Sequence, residues 1–243
     1  MTRLISSSQH PLIKHLVKLR QDSAYRTLQQ TTLLEGSKSI REVLSHVIRI
    51  FYTAEWEGVF SEQGRESWCV TDIVMHKLSN LLSPEGVVAE VRLPSFQTLE
   101  AYNRILVLDG VADPGNVGTL LRTALAFDWG GAYFLPGCCD PFNDKALRAA
   151  KGAQFKLPLA KGTVEEMFAF GQKNHYQMAV ADIQGMPASE VPQASKRLLV
   201  LGNEARGPSQ LLQAQGLKVT LPMPGPMESL NVAVAGGILL YLL

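Results

Sequence analysis

Leu198-Leu-Val-Leu-Gly-Asn-Glu-Ala-Arg-Gly207, followed by Leu221-Pro-Met-Pro-Gly-Pro-Met-Glu-Ser-Leu-Asn-Val-Ala-Val-Ala235, is the stretch on which the fold turns. An unbroken apolar strand runs straight into Gly202-Asn203-Glu204, and a Pro/Gly-rich loop then ends in Ser229-Leu230-Asn231 at the start of an apolar helix. Strands that are apolar throughout, not in alternation, are buried on both faces and belong to parallel sheets covered by helices. The two loops gather backbone and side-chain hydrogen-bonding groups more densely than ordinary connections do, which marks the ends of these strands as a place for a ligand.

Working outward, the same rhythm fills the second part of the chain. It reads as strand 105–108, helix 117–127, strand 132–135, helix 144–150, strand 155–159, helix 164–172, strand 176–181, strand 198–201, helix 209–215, strand 217–221 and helix 230–243. Strand alternating with helix predicts an α/β fold with a mostly parallel, doubly covered sheet. Upstream, Leu93-Pro-Ser-Phe-Gln-Thr98 has the composition of a linker. Before it, an amphipathic helix from Leu12 to Arg20, a strand at Thr32–Glu35, a helix at 37–47, strands at 47–52, 68–70 and 86–93, and a helix at 72–81 predict a small α/β unit. The expected division is therefore a small α/β domain at 1–95 and a larger one at 103–243.

The 243 residues, 46% of them hydrophobic, supply a core for either unit, and the formal net charge of +1 gives no long-range pull on a polyanion. The charges are unevenly spread. Residues 1–50 carry eight Lys/Arg against three Asp/Glu, and residues 51–102 carry three against eight. The basic start either touches phosphate or is a solvated helix face, and charge alone leaves both readings open. Cys69 and the adjacent Cys138 and Cys139 make neither a disulfide framework nor a paired Cys-x-x-Cys metal site, so a reducing cytoplasm is expected. The N-terminus lacks the continuous apolar core of a signal peptide, and the apolar run Val232–Leu243 has the length of a core helix, not a membrane span.

A second junction, Leu106-Val-Leu-Asp-Gly-Val-Ala-Asp-Pro-Gly-Asn-Val-Gly-Thr-Leu-Leu-Arg-Thr-Ala124, is a strand, a turn and a helix. Asn116 is positioned as a helix N-cap, and Gly115 and Gly118 allow close backbone approach to an anionic or polar ligand at the helix N-terminus. Arg122 falls nearly two turns into this helix among Leu120, Leu121, Ala124 and Leu125, so its guanidinium either pairs with a carboxylate, reaches solvent, or serves a substrate. The spacing fits neither a P-loop nor a Gly-x-Gly-x-x-Gly dinucleotide turn. Glu204 stands at a sheet edge, where it meets Arg122, a substrate, or simply a turn. Ser229 and Asn231 each have a cap as the alternative to a ligand contact.

Three such junctions in order carry a resemblance. Asn116, Gly118, Arg122, Thr123 and Ala124 match Asn-x-Gly-x-x-x-Arg-Thr-Ala, Gly202–Gly207 match Gly-Asn-Glu-x-x-Gly, and Ser229–Val232 match Ser-Leu-Asn-Val. On these the chain resembles the SpoU-type branch of the SPOUT superfamily, the RNA 2′-O-ribose methyltransferases. Lys145–Ala153 is also similar, with Lys151 where a smaller or apolar residue is more usual. Over residues 1–95, Ser-x-x-His-Pro and Leu33–Glu42 more loosely resemble the ribosomal-protein-like RNA-binding domain that many members carry in front.

The resemblance implies a deep trefoil knot at the C-terminal end of an α/β domain, S-adenosylmethionine as methyl donor with no metal, and homodimers packed through the first and last helices. It implies that Arg122 activates the ribose hydroxyl while Asn116, Glu204, Ser229 and Asn231 shape its surroundings, and that groups at Gly202, Leu221, Met223 and Leu230 hold the donor. The RNA, ribosomal or transfer, is expected across the front domain and the knot, with Lys14, Lys18, Arg20 and Arg26 as phosphate contacts. A catalytically silent RNA-binding protein of the same fold, and a knotted base methyltransferase, are the alternatives.

Overall fold

The computed structural model describes residues 3–59 and 66–243, which divide into two compact units. In the first, β1 (Arg3–Ile5), β2 (Thr31–Glu35), β3 (Val47–Tyr52), β4 (Glu66–Val70) and β5 (Val87–Arg92) form a mixed sheet in the order β1-β4-β3-β5-β2. Helices α1 (Pro11–Gln21), α2 (Ser23–Gln29), α3 (Ser37–Glu42) and α4 (Asp72–Ser79) accompany it. Ile13, Leu16 and Leu19 of α1 recur at helical spacing and pack with Phe51, Val74 and Leu78 in one apolar cluster.

Two local readings change. The helix expected over 37–47 ends at Glu42, because the Val43 amide bonds back three residues to the Ile40 carbonyl, and a separate 3-10 turn covers Leu44–His46. Helix α2, absent from the sequence reading, is started by Asp22, whose carboxylate accepts from the Tyr25 amide at 3.0 Å.

The first unit also takes in residues 142–155, which contain helix α6 (Asp144–Ala150). Phe142 presents its carbonyl to Thr32 Oγ1 (3.2 Å), and Phe155 packs edge-on against both Phe142 and His46. A division into two continuous stretches of chain thus leaves out one excursion, whose apolar Phe142 and Phe155 find their partners on β2 and beside α3.

The second unit holds a sheet of six strands, every pair parallel: β6 (Arg104–Asp109), β7 (Gly131–Phe134), β8 (Leu159–Lys161), β9 (Gln177–Pro187), β10 (Arg197–Gly202) and β11 (Leu217–Thr220). Their order is β11-β9-β10-β6-β7-β8. Helices α5 (Pro114–Ala126), α7 (Val164–Lys173), α8 (Gln210–Gln215) and α9 (Val232–Leu242) complete the unit. Residues Ile105–Leu108 and Leu198–Leu201 are all buried, as continuous apolar strands require.

The strand expected at 155–159 lies instead at Leu159–Lys161, since Pro158 has no amide to give to a ladder and Ala153–Phe155 form a 3-10 turn. Strand β9 runs to Pro187, six residues past its expected end. Its pairing with β11 jumps from Lys218↔Val180 to Val219↔Met186, so residues 181–185 stand out of the ladder.

Candidate active site

The strand order fixes where a site forms. β6 lies between β7 and β10, and the chain leaves β6 and β10 at neighbouring carboxyl ends, with Gly202 paired to Asp109. In open parallel sheets ligands gather outside such ends, at the point where the strand order reverses. Two of the three motif loops therefore start side by side.

The loop after β10 is folded on itself by Asn203. Its amide and carbonyl exchange hydrogen bonds with Gly207 (3.1 and 2.8 Å), its Oδ1 accepts from the Ala205 and Arg206 amides, and its Nδ2 donates to the Gly110 carbonyl at 2.8 Å. Asp109 Oδ2 accepts from the Ser209 amide at 2.6 Å and ties the far side of the loop to β6. Gly202 is required here because a Cβ would fall 1.9 Å from the Pro208 nitrogen. The loop is thus returned tightly against its own strand.

This fold-back carries Glu204 to the start of α5. Its carboxylate accepts from the Ala112 amide (3.2 Å), the Asp113 amide (3.1 Å) and Asn116 Nδ2 (3.0 Å). Burial pushes the carboxyl pKa up, but these hydrogen bonds outweigh it and hold the value below that of an ordinary glutamate. The cap of α5 is Asp113, whose Oδ1 accepts from the Asn116 amide at 2.8 Å; the N-cap expected at Asn116 is corrected by three positions. Freed from capping, the buried Asn116 side chain bridges the other two motifs.

Asn231 caps α9: its Oδ1 accepts from the Ala233 and Val234 amides at 2.8 and 3.3 Å, and its Nδ2 donates to Asn116 Oδ1 at 3.0 Å. The direction of this relay has no freedom. At one end a carboxylate can only accept, and at the other two backbone amides can only donate, so both intervening amide groups must point one way. One connected line runs Asn231 to Asn116 to Glu204.

Beside the line is a cleft of about 510 Å³ lined by Gly202, Glu204, Leu221, Met223, Ser229 and Leu230, with Leu201, Val219 and Leu239 among its apolar walls. The excursion at 181–184 forms one wall. The volume falls in the ~300–1,000 Å³ range of small-molecule sites, and the mixture of apolar walls with a few polar groups suits a small organic ligand with polar groups of its own.

Arg122 is not part of the line. It lies six residues past Asn116, about 120° round the helix and about 9 Å along it, and its side chain is exposed with no hydrogen bond or ion pair among the described residues. The pairing of Glu204 with Arg122 offered by the sequence is therefore replaced by pairing with amides. The remaining charged candidates sit in the first unit. Lys14 and Lys18 are exposed, Lys18 lying over the Tyr25 ring at 4.4 Å. Arg20 is half-buried among Glu35, Asp144 and Arg148. Arg26 must be withdrawn as a phosphate contact: it is 2% exposed, and its guanidinium donates to the carbonyls of Leu19 and Arg20 at the end of α1. A basic residue five positions past the end of α1 gives no sequence signal that separates this internal cap from a surface charge.

The fold and cleft define a two-unit α/β protein with a cleft of small-molecule size at the carboxyl ends of a parallel sheet. Residues 103–241 match the SpoU rRNA Methylase family, and residues 10–89 match the MRM3-like substrate binding domain. The chain belongs to the SpoU rRNA methylase family.

Among its relatives, the 23S rRNA (guanosine(2553)-2′-O)-methyltransferase RlmP of Bacillus subtilis is 31% identical over 246 residues, covering 98% of this chain and 97% of that protein. An uncharacterized tRNA/rRNA methyltransferase of Synechocystis is 31% identical over 261 residues, 98% and 92% of the two chains. The crystal structure of an AdoMet-bound rRNA methyltransferase from Sinorhizobium meliloti superimposes with a TM-score of 0.88 at 25% identity, covering 99% of this chain and 97% of the other. A structure of a TrmH-family protein from Porphyromonas gingivalis gives 0.84 at 30% identity, with 96% and 97% covered.

Proposed function

We propose that this protein transfers a methyl group from S-adenosylmethionine to a ribose 2′-hydroxyl of RNA, and that ribosomal RNA, the substrate class named for RlmP, is its target. The observation that carries the reading is the hydrogen-bonded line Glu204–Asn116–Asn231, which joins all three motifs beside a cleft of nucleoside size. Gly202, Leu221, Met223 and Leu230 are the residues proposed to hold the donor, in the part of the chain expected to be knotted. When bound, the donor supplies an electrophilic methyl on a positively charged sulfur.

The work left to the protein is to place the hydroxyl in line and ease the loss of its proton. Glu204 is spent on orienting Asn116, so it shapes the site and takes no proton. Ser229 stands exposed on the cleft wall, free to meet the ribose. Arg122, whose planar guanidinium presents a fork of N–H donors and no acceptor, has the role of orienting the hydroxyl and the neighbouring phosphate electrostatically.

The exposed apolar side chains Val234, Ile238 and Tyr241 of α9, with Phe127, border a groove of about 690 Å³ against α5. This exposed apolar face supports the reading of a homodimer that covers it, and Thr119 and Thr123 of the same groove are neighbours of Arg122 on α5. In the first unit the exposed Lys14 and Lys18 are the proposed phosphate contacts. No helix among the described residues is long and apolar enough to cross a membrane, and an RNA substrate supports the reading of a cytoplasmic protein.

The reading is tested with Arg122→Ala. Calorimetry is expected to show donor affinity within about twofold of wild type, while methyl transfer to rRNA falls by about 100-fold or more. Turnover at the wild-type level would refute the assignment.

A further inference from the structure

Three charged side chains line the cleft: Asp182, Glu204 and Arg206. Two are already committed. Glu204 is held by the amides of Ala112 and Asp113 and by Asn116. Asp182 accepts from the Gln184 amide at 2.8 Å and pairs with Lys218 at 3.0 Å, the first of these bonds doing most to hold its carboxyl ionised against partial burial. Lys218 is used up in the same pair.

Arg206 is different. Its backbone is fixed, because its amide donates to Asn203 Oδ1 at 3.2 Å within a loop closed by the Asn203–Gly207 bonds. Its guanidinium is exposed and has no hydrogen bond, ion pair or ring contact among the described residues. The Glu204 carboxylate is solvated by neutral amide donors and Asp182 is answered by Lys218, so neither engages the Arg206 guanidinium, and a rooted arginine faces the cleft with an empty fork. A guanidinium fork suits two oxygens of one anionic group.

We infer that Arg206 is a positioning residue that receives an anionic oxygen pair at this cleft, a carboxylate or a phosphate. Resting on the methyltransferase reading, the two sources are the carboxylate of the donor's amino-acid tail and a backbone phosphate of the RNA. Either contact holds a reactant at its charged end, away from the transferred methyl.

The test compares wild type, Arg206→Ala and Arg206→Lys in the full chain. Calorimetry measures affinity for S-adenosylmethionine and for 5′-methylthioadenosine, which has the nucleoside and sulfur but no amino-acid tail. RNA affinity is measured against salt in parallel. If the carboxylate is the partner, Arg206→Ala weakens the full donor by about tenfold and leaves methylthioadenosine unchanged, with Arg206→Lys recovering part of the loss. If the phosphate is the partner, donor affinity is unchanged and the salt slope of RNA binding drops by about 0.7–0.9 in Arg206→Ala but not in Arg206→Lys. Equal weakening of both small molecules means that the loop was merely disturbed, and no change in any arm means that the charge is idle; each overturns the inference. Failure of wild type to bind the donor would count against the methyltransferase reading instead, and the RNA arm would still judge Arg206.

Discussion

Asn231 does two jobs with one amide group, and the jobs can be separated. Its oxygen caps α9 and its nitrogen holds Asn116. Asn231→Asp keeps an acceptor for the Ala233 and Val234 amides but cannot donate to Asn116. Denaturation should find its stability within about 0.5 kcal/mol of wild type, whereas Asn231→Ala loses about 1 kcal/mol. Both variants should lose methyl transfer. Full activity in Asn231→Asp would show that the relay is structural only.

Glu204 gives a pH signature. Its folded pKa lies below the ordinary carboxylate value, so the stability it contributes is fully present above the unfolded value of ~4.3 and is lost as pH falls through the folded one. The Tm gap between wild type and Glu204→Gln should hold steady from neutral pH down to about 5 and close in more acid solution. A gap that widens on acidification would contradict the pairing. None of this detail was legible in the sequence. Asn116 and Glu204 stood out as polar residues at strand ends, but the donor and acceptor pattern needs the register that sets Gly202 opposite Asp109.

Helix α9 shows what an element adds. Its sequence is apolar all round, so periodicity could not tell the buried face from the covered one. In the fold, Gly236 faces inward so closely that a Cβ would lie 2.4 Å from Leu120 and 2.5 Å from Leu201 side-chain carbons, and the Trp129 indole donates to the Leu240 carbonyl at 2.9 Å. Gly236→Val should cost about 1–3 kcal/mol by overpacking, read from denaturant unfolding. On the opposite face Ile238 is 41% exposed. Ile238→Asp should convert a dimer into a monomer in sedimentation velocity with its fold intact by circular dichroism; a wild-type monomer at the same concentration would remove the dimer from the account.

Elements with an unbroken apolar run, such as β6 and β10, were readable to within a residue. Those decided by tertiary partners were not: α2 is short and polar, and the excursion of β9 exists because residues 181–185 leave the ladder to wall a cleft.

At the scale of the molecule, the sequence announces two units and a site at the carboxyl ends of one sheet. It conceals that residues 142–155, inside the methylase match by chain position, belong by packing to the first unit. The basic N-terminal block likewise divides only in three dimensions, into exposed Lys14 and Lys18 and a buried Arg26. The double variant Lys14→Ala, Lys18→Ala should lower the salt slope of rRNA binding by about 1.4–1.8 at unchanged Tm. An unaltered slope would place the RNA elsewhere.

Everything proposed here rests on the position of the transferred methyl, and that can be read directly. Wild-type protein is incubated with rRNA and isotopically labelled S-adenosylmethionine, the RNA is digested, and the nucleosides are analysed by mass spectrometry. The account predicts label on the ribose of a single 2′-O-methylnucleoside. Label on a base, or labelled RNA absent altogether despite bound RNA, would contradict it.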